Sequence, residues 1–217
     1  MLKINVNSEL IKKFSEVIEG ILSMIENGEY EKALELIDGA FKDFFRLGSK
    51  FFNSLSEENL LELARTNNIM DVDKCIIMSK LLMEEARVFE KLHGKSEGFY
   101  LYAKSIYLYA EAYEYAEEET ELDKYFSDID TLILKVSDYK LDTGLQKQMI
   151  RYNMKKGAYD QADNILYDLL QDTGSSEGSK RYAAEIYKAL LSIEDAELVK
   201  GNLTREEVME SLESISC

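Results

Sequence analysis

Proline and tryptophan are absent from the 217 residues, histidine occurs once and cysteine twice. Average usage of about 5% would give roughly ten prolines in such a chain, and proline is the residue that breaks helix interiors, at about 3 kcal/mol. Its absence fits long helices joined by short turns. Two cysteines, Cys75 and Cys217, are too few for a disulfide framework and form no Cys-x-x-Cys zinc pair. A lone His93 rules out His-Glu-x-x-His zinc chemistry, and the Glu90–His93 spacing lacks the second Glu-x-x-His of a di-iron bundle. No glycine-rich phosphate loop occurs. Basic residues are also scarce: 26 lysines and arginines face 42 acids, for a net charge of −16. That balance argues against gripping nucleic acid or an anionic membrane, both of which need clustered cations. No apolar run approaches the roughly 20 residues that span a bilayer. With a start, MLKINVNSEL, that lacks a signal-peptide core, the sequence reads as a soluble cytoplasmic protein.

Hydrophobic residues, 46% of the chain, recur with helical spacing. Phe14, Val17, Ile18, Ile21 and Ile25 mark a helix over about 8–27, with Ser8 as its N-cap. After Gly28 a second helix carries Ala33, Ile37, Ala40 and Phe41, forming a hairpin with the first. Further helices are expected over 56–66, 71–92, 96–118 and 122–136, then from Asp142 or Thr143 to Lys156 and over 159–171. The serine- and glycine-rich stretch 172–179 reads as a loop before a helix over 180–199. Thr204 and Glu207 form a capping box for a final short helix. The fold class is all-α, an array of antiparallel hairpins with nine or ten helices in one domain over 1–217, residues 201–217 capping the stack.

A recurring spacing supports the array. Glycine is followed two residues on by tyrosine, then by a small residue, then by larger apolar ones: Gly28, Tyr30, Ala33, Ile37; Gly98, Tyr100, Ala103, Tyr107; Gly157, Tyr159, Ala162, Leu166. These residues resemble the turn and second helix of tetratricopeptide repeats. Together with LSEENLLELA, the long helix before Gly94 and the ending LVKGNLTREEV, they make the chain similar to an uncharacterised bacterial family of tetratricopeptide-like proteins. The resemblance implies a right-handed superhelix of hairpins and brings no activity, catalytic residue or cofactor with it.

Three groups are candidate sites. Lys147, Arg151 and Lys155 stand at four-residue steps on one helix face. They either line a groove that grips an acidic peptide, like the carboxylate clamp of some tetratricopeptide proteins, or form a solvated face paired with acids. Tyr102, Tyr109 and Tyr113 share one face of a tyrosine-rich helix and serve either core packing or contact with a peptide or second subunit. Glu117, Glu118, Glu119, Glu121, Asp123, Asp128 and Asp130 form an acidic run without the spacing of a calcium loop, which reads as solvated charge. Cys75, among Ile76, Ile77 and Met78, reads as a core residue. The resulting expectation is a non-catalytic scaffold that needs no metal or cofactor and binds a protein or peptide. A self-associating homodimer and a helical pocket for a small apolar ligand are the alternatives.

Overall fold

The structure, a computed structural model, describes residues 2–117 and 120–216, with side chains described from residue 9 to residue 215 outside the gap. Among the described residues there are twelve α-helices, one 3-10 segment and a two-stranded hairpin. The fold is an all-α array of helical hairpins. Contacts gather the chain into two compact units, Met1–Lys140 and Leu141–Cys217, where the sequence pattern suggests one continuous domain.

The first unit begins with α1 (Leu2–Glu26), which is already helical at Ser8, so Ser8 is not the N-cap expected of it. Gly28, at φ +73°, turns the chain into α2 (Tyr30–Phe45). Phe14, Ile18 and Ile21 of α1 and Ile37 and Phe41 of α2 are buried, as the spacing requires. A short helix absent from the sequence reading, α3 (Ser49–Ser54), stacks Phe52 on Phe41 with ring centroids 4.6 Å apart. Ser56 then caps α4 (Glu57–Leu63).

The expected helix through Thr66 stops early because Asn67 and Asn68 both take positive φ, 54° and 63°. Two left-handed residues make a tight hairpin turn, here between β1 (Arg65–Thr66) and β2 (Ile69–Met70). Asp71 caps α5 (Val72–His93), accepting from Lys74 N at 3.1 Å. Residues from Cys75 to Ala86 are all buried, because α1 and α2, together with α6 (Phe99–Tyr115), pack against α5. A helix buried all round must pair the charges it carries. The helix expected over 122–136 is a 3-10 turn at Asp123–Ser127 followed by α7 (Asp128–Val136), which packs on α6.

In the second unit, Asp142 caps α8 (Thr143–Lys156) through Leu145 N at 2.9 Å, and Gly157, at φ +80°, turns it into α9 (Tyr159–Asp172). Ser176 caps α10 (Glu177–Leu191), so the loop is shorter than 172–179. The helix expected to run to residue 199 breaks after Leu191 and resumes as α11 (Asp195–Lys200). Arg205 donates to Leu191 O and Ile193 O, both at 2.6 Å, satisfying carbonyls that the broken helix leaves open. The capping box forms as expected: Thr204 N donates to Glu207 Oε2 at 2.8 Å and Glu207 N to Thr204 Oγ1 at 3.3 Å, starting α12 (Arg205–Ser216). Ala162, Leu166, Leu169, Ala183, Leu190 and Leu198 fill the core of this unit.

The repeat spacing is structurally mixed. Gly28 and Gly157 are left-handed corners, whereas Gly98 has φ −83° and Tyr100 is 75% exposed. Gly98 serves close packing instead: a Cβ there would sit 2.6 Å from Ala86 O.

Candidate functional site

On α8, burial of Leu145, Met149 and Tyr152 leaves Lys147 half-buried and Arg151 and Lys155 exposed. The Lys147 ammonium lies 4.9 Å from the ring of Tyr182 on α10, whose hydroxyl donates to Lys147 O at 3.4 Å. Burial pushes the Tyr182 hydroxyl up to about 12, with the Arg151 charge opposing it. Arg151 and Lys155 have partners as well. The stripe thus packs partly against its own unit.

Two of the three tyrosines on the shared face of α6 are interior, and Tyr113 is partly buried. Tyr102 is 3% exposed and Tyr109 fully buried, because α5 and α7 both pack on this helix. Tyr113 sets its ring edge-on to Phe126, 5.2 Å between centroids. The alternative in which Tyr102 and Tyr109 meet a partner is corrected: their rings are core.

Tyr102 instead helps build a cavity of about 360 Å³ walled by Met83, Leu132 and Thr131 with Arg87, Glu90, Lys91, Asp128 and Lys135. Its hydroxyl donates to Glu90 Oε2 at 2.6 Å, and Lys135 reaches both Glu90 oxygens at 2.8 Å. Burial alone would raise the Glu90 carboxyl, but these two donors outweigh it and hold the group below its ordinary range. Beneath the cavity Lys80 bridges Glu84 at 3.0 Å and Asp128 at 2.7 Å, and Arg87 also pairs with Glu84 at 2.9 Å. Burial would lower Lys80, yet the two carboxylates keep it above its ordinary value. General acid–base catalysis works best with a pKa near the working pH; Glu90 and Lys80 are shifted away from neutrality.

A larger groove, about 650 Å³, lies along α2, α3 and α5. Leu34, Phe51 and Phe89 supply apolar walls, and Glu35, Asp38, Lys42 and Lys50 carry charge around them. Asp38 accepts from Ser49 N at 2.9 Å and pairs with Lys42, which hold its carboxyl below the usual range. Gly48 makes this possible, since a Cβ there would lie 2.5 Å from Asp38 Oδ1. Glu85, only 3% exposed, takes a hydrogen bond from Asn53 Nδ2 at 3.0 Å. Glu85 Oε2 and Asn53 Oδ1 are buried without a hydrogen-bond donor. Burial raises the Glu85 carboxyl against the pull of Asn53 and Ser49, and Asp38 adds to the rise.

A family model matches residues 11–217. The chain belongs to DUF6483, a family of unknown function. No curated protein and no solved structure matches it.

Among the described residues of this DUF6483 chain, no group of three or more histidines, cysteines, aspartates and glutamates is placed to hold a metal. Glu90, of the Glu90–His93 pair, is already engaged by Lys135 and Tyr102. In the acidic run, Asp123 accepts from Thr120 N at 3.0 Å and Asp128 pairs with Lys80; Glu118 and Glu119 lie outside the described residues, as does Cys217. Cys75 is fully buried with Sγ 3.3 Å from Met70 Sδ, and burial drives its thiol far up from the ordinary value. No described helix is long and apolar enough to cross a membrane. The sequence reading missed Lys80, Glu84 and Glu85. Their signal was available in α5, where apolar residues occupy every side and leave these charges no exposed face.

Proposed function

We propose that this chain is a non-catalytic scaffold that holds a segment of another protein in the groove of its first unit. The observation that carries the reading is the groove itself, about 650 Å³, in which apolar walls alternate with charged rims. Apolar surface for contact together with a few placed polar groups for register is what segment recognition needs. The hairpin order and the left-handed Gly157 corner under Tyr159 support a tetratricopeptide-like reading of the array. The 360 Å³ cavity is lined by five charged residues, which disfavours the small apolar ligand. With Tyr102 and Tyr109 buried, the homodimer alternative loses part of the tyrosine surface it invoked and would fall to Tyr113 or the C-terminal helix α12.

The test is to pan a random peptide library displayed on phage against the full-length chain and to measure the recovered peptides by fluorescence anisotropy. Convergent peptides whose affinity falls about tenfold or more in Phe51→Asp would support the groove, a loss typical of a contact worth over 1 kcal/mol. The double variant Lys147→Glu, Arg151→Glu should bind the same peptides unchanged. Failure of the library to converge, or peptides indifferent to Phe51→Asp, would remove the reading.

A further inference from the structure

We infer that the groove over Glu85 takes a cation on an apolar stem, the side chain of a lysine or arginine in the bound segment; this rests on the groove reading above. Two acceptors, Glu85 Oε2 and Asn53 Oδ1, are buried in residues that line the groove and have no hydrogen bond, with the Ser49 side chain a neighbouring donor that, besides Asn53, acts on Glu85. Buried polar atoms in folded proteins nearly always find partners, and those that do not call for an explanation. The cations already nearby are committed. Lys42 pairs with Asp38, and Lys104, 9% exposed, donates to Asn53 O at 2.7 Å rather than to the Asn53 side chain. The remaining charged lining residues, Glu35 and Lys50, are one of each sign.

The ligand chemistry follows from this pattern. Ammonium and guanidinium groups carry donors and no acceptor, so they match a floor of acceptors. A hydroxyl or amide would bring its own acceptor lone pairs there. A carboxylate would meet a lining in which three acids, Glu35, Asp38 and Glu85, outnumber two lysines, Lys42 and Lys50. Leu34, Phe51 and Phe89 offer a lining for the methylene stem, which lysine and arginine bury while their heads stay polar. Oε2 is itself buried, so the Glu85 side chain must turn towards the groove to meet the incoming donor. Burial now raises the Glu85 carboxyl, and an adjacent cation would favour its ionised form. At long range, the net charge of −16 draws basic segments towards the chain.

The experiment uses the full-length protein labelled with ¹⁵N, titrated with butylammonium chloride, butanol and sodium butyrate at matched ionic strength. Butylammonium should shift the amides of Ser49, Asn53 and Glu85 saturably, at least tenfold more tightly than butanol, while butyrate leaves them in place. Glu85→Gln, nearly isosteric, should weaken butylammonium at least tenfold without disturbing the rest of the spectrum. The panned peptides should contain a lysine or arginine whose replacement by norleucine weakens binding by a similar factor. Equal shifts from butylammonium and butanol, or no loss in Glu85→Gln, would overturn the cation site. Groove-dependent peptides without a required basic residue would overturn it too, while leaving the scaffold reading standing. If neither small probes nor peptides bind, both fall.

Discussion

Glu84 is fully buried between Lys80 and Arg87, and this arrangement sets how much a single residue is worth. Removing one partner of a buried ion pair leaves an uncompensated charge, at a cost of about 3–5 kcal/mol. Lys80→Ala should therefore lower the urea midpoint of the first unit sharply. Lys13→Ala, which breaks the exposed pair with Asp43 at 2.9 Å, should leave the midpoint nearly unchanged, because solvent screens that pair. A second residue-level effect concerns pH. Asp73, Glu85 and Asp163 all have carboxyl pKa values raised, mainly by burial. A carboxyl raised in the folded state holds its proton to higher pH than in the unfolded chain, so folding is favoured most below the ordinary carboxyl range. Stability then declines as pH rises through the raised folded value. Glu85→Gln should remove its share of that decline, so its urea midpoint should gain on the parent between pH 4 and pH 8. A constant difference across that range would show that Glu85 does not titrate in this way.

The helix starts carry the clearest element-scale predictions. Asp142 accepts from Leu145 N, and Asp142→Ala should cost the second unit about 1 kcal/mol, read by thermal melting. Gly201, after α11, lies against the Tyr159 ring and 2.5 Å from Gly157 O at its would-be Cβ, while Asp160 N donates to Gly201 O at 3.0 Å. Gly201→Ala should therefore cost about 1–3 kcal/mol as an overpacking change. These examples also show what the sequence disclosed. The cap at Asp142, the corner at Gly157 and the Thr204–Glu207 box are local, involving residues one turn apart; the sequence pattern located the corner and the box and narrowed the cap to Asp142 or Thr143. The break after Leu191 depends on Arg205, which lies beyond α11 and closes the open carbonyls from a distance. The hairpin at Asn67 and Asn68 takes the end of a helix, expected to reach about Thr66, whose boundary the sequence pattern does not fix. The Glu85 groove was hidden for a related reason: its elements join residues from 34 to 89, and periodicity along one helix says nothing of what another brings to it. The stripe of Lys147, Arg151 and Lys155 was legible, but its packing against Tyr182 was not.

At the scale of the molecule, each unit has an apolar core of its own, the second built from Ile150, Leu166, Leu169, Leu190, Leu198 and Val208. A fragment spanning 141–217 should therefore keep a helical far-UV circular dichroism spectrum and melt cooperatively; a featureless melt would mean that its core is insufficient alone. The first unit offers a different handle. Cys75 sits in the first turn of α5 with its thiol against Met70 and no solvent exposure. With Cys217 changed to serine, every reaction of an aromatic disulfide reagent with the protein must wait for that helix to come away. The labelling rate at low reagent would then count openings of the central helix under native conditions, and ligands that close the groove would slow that clock.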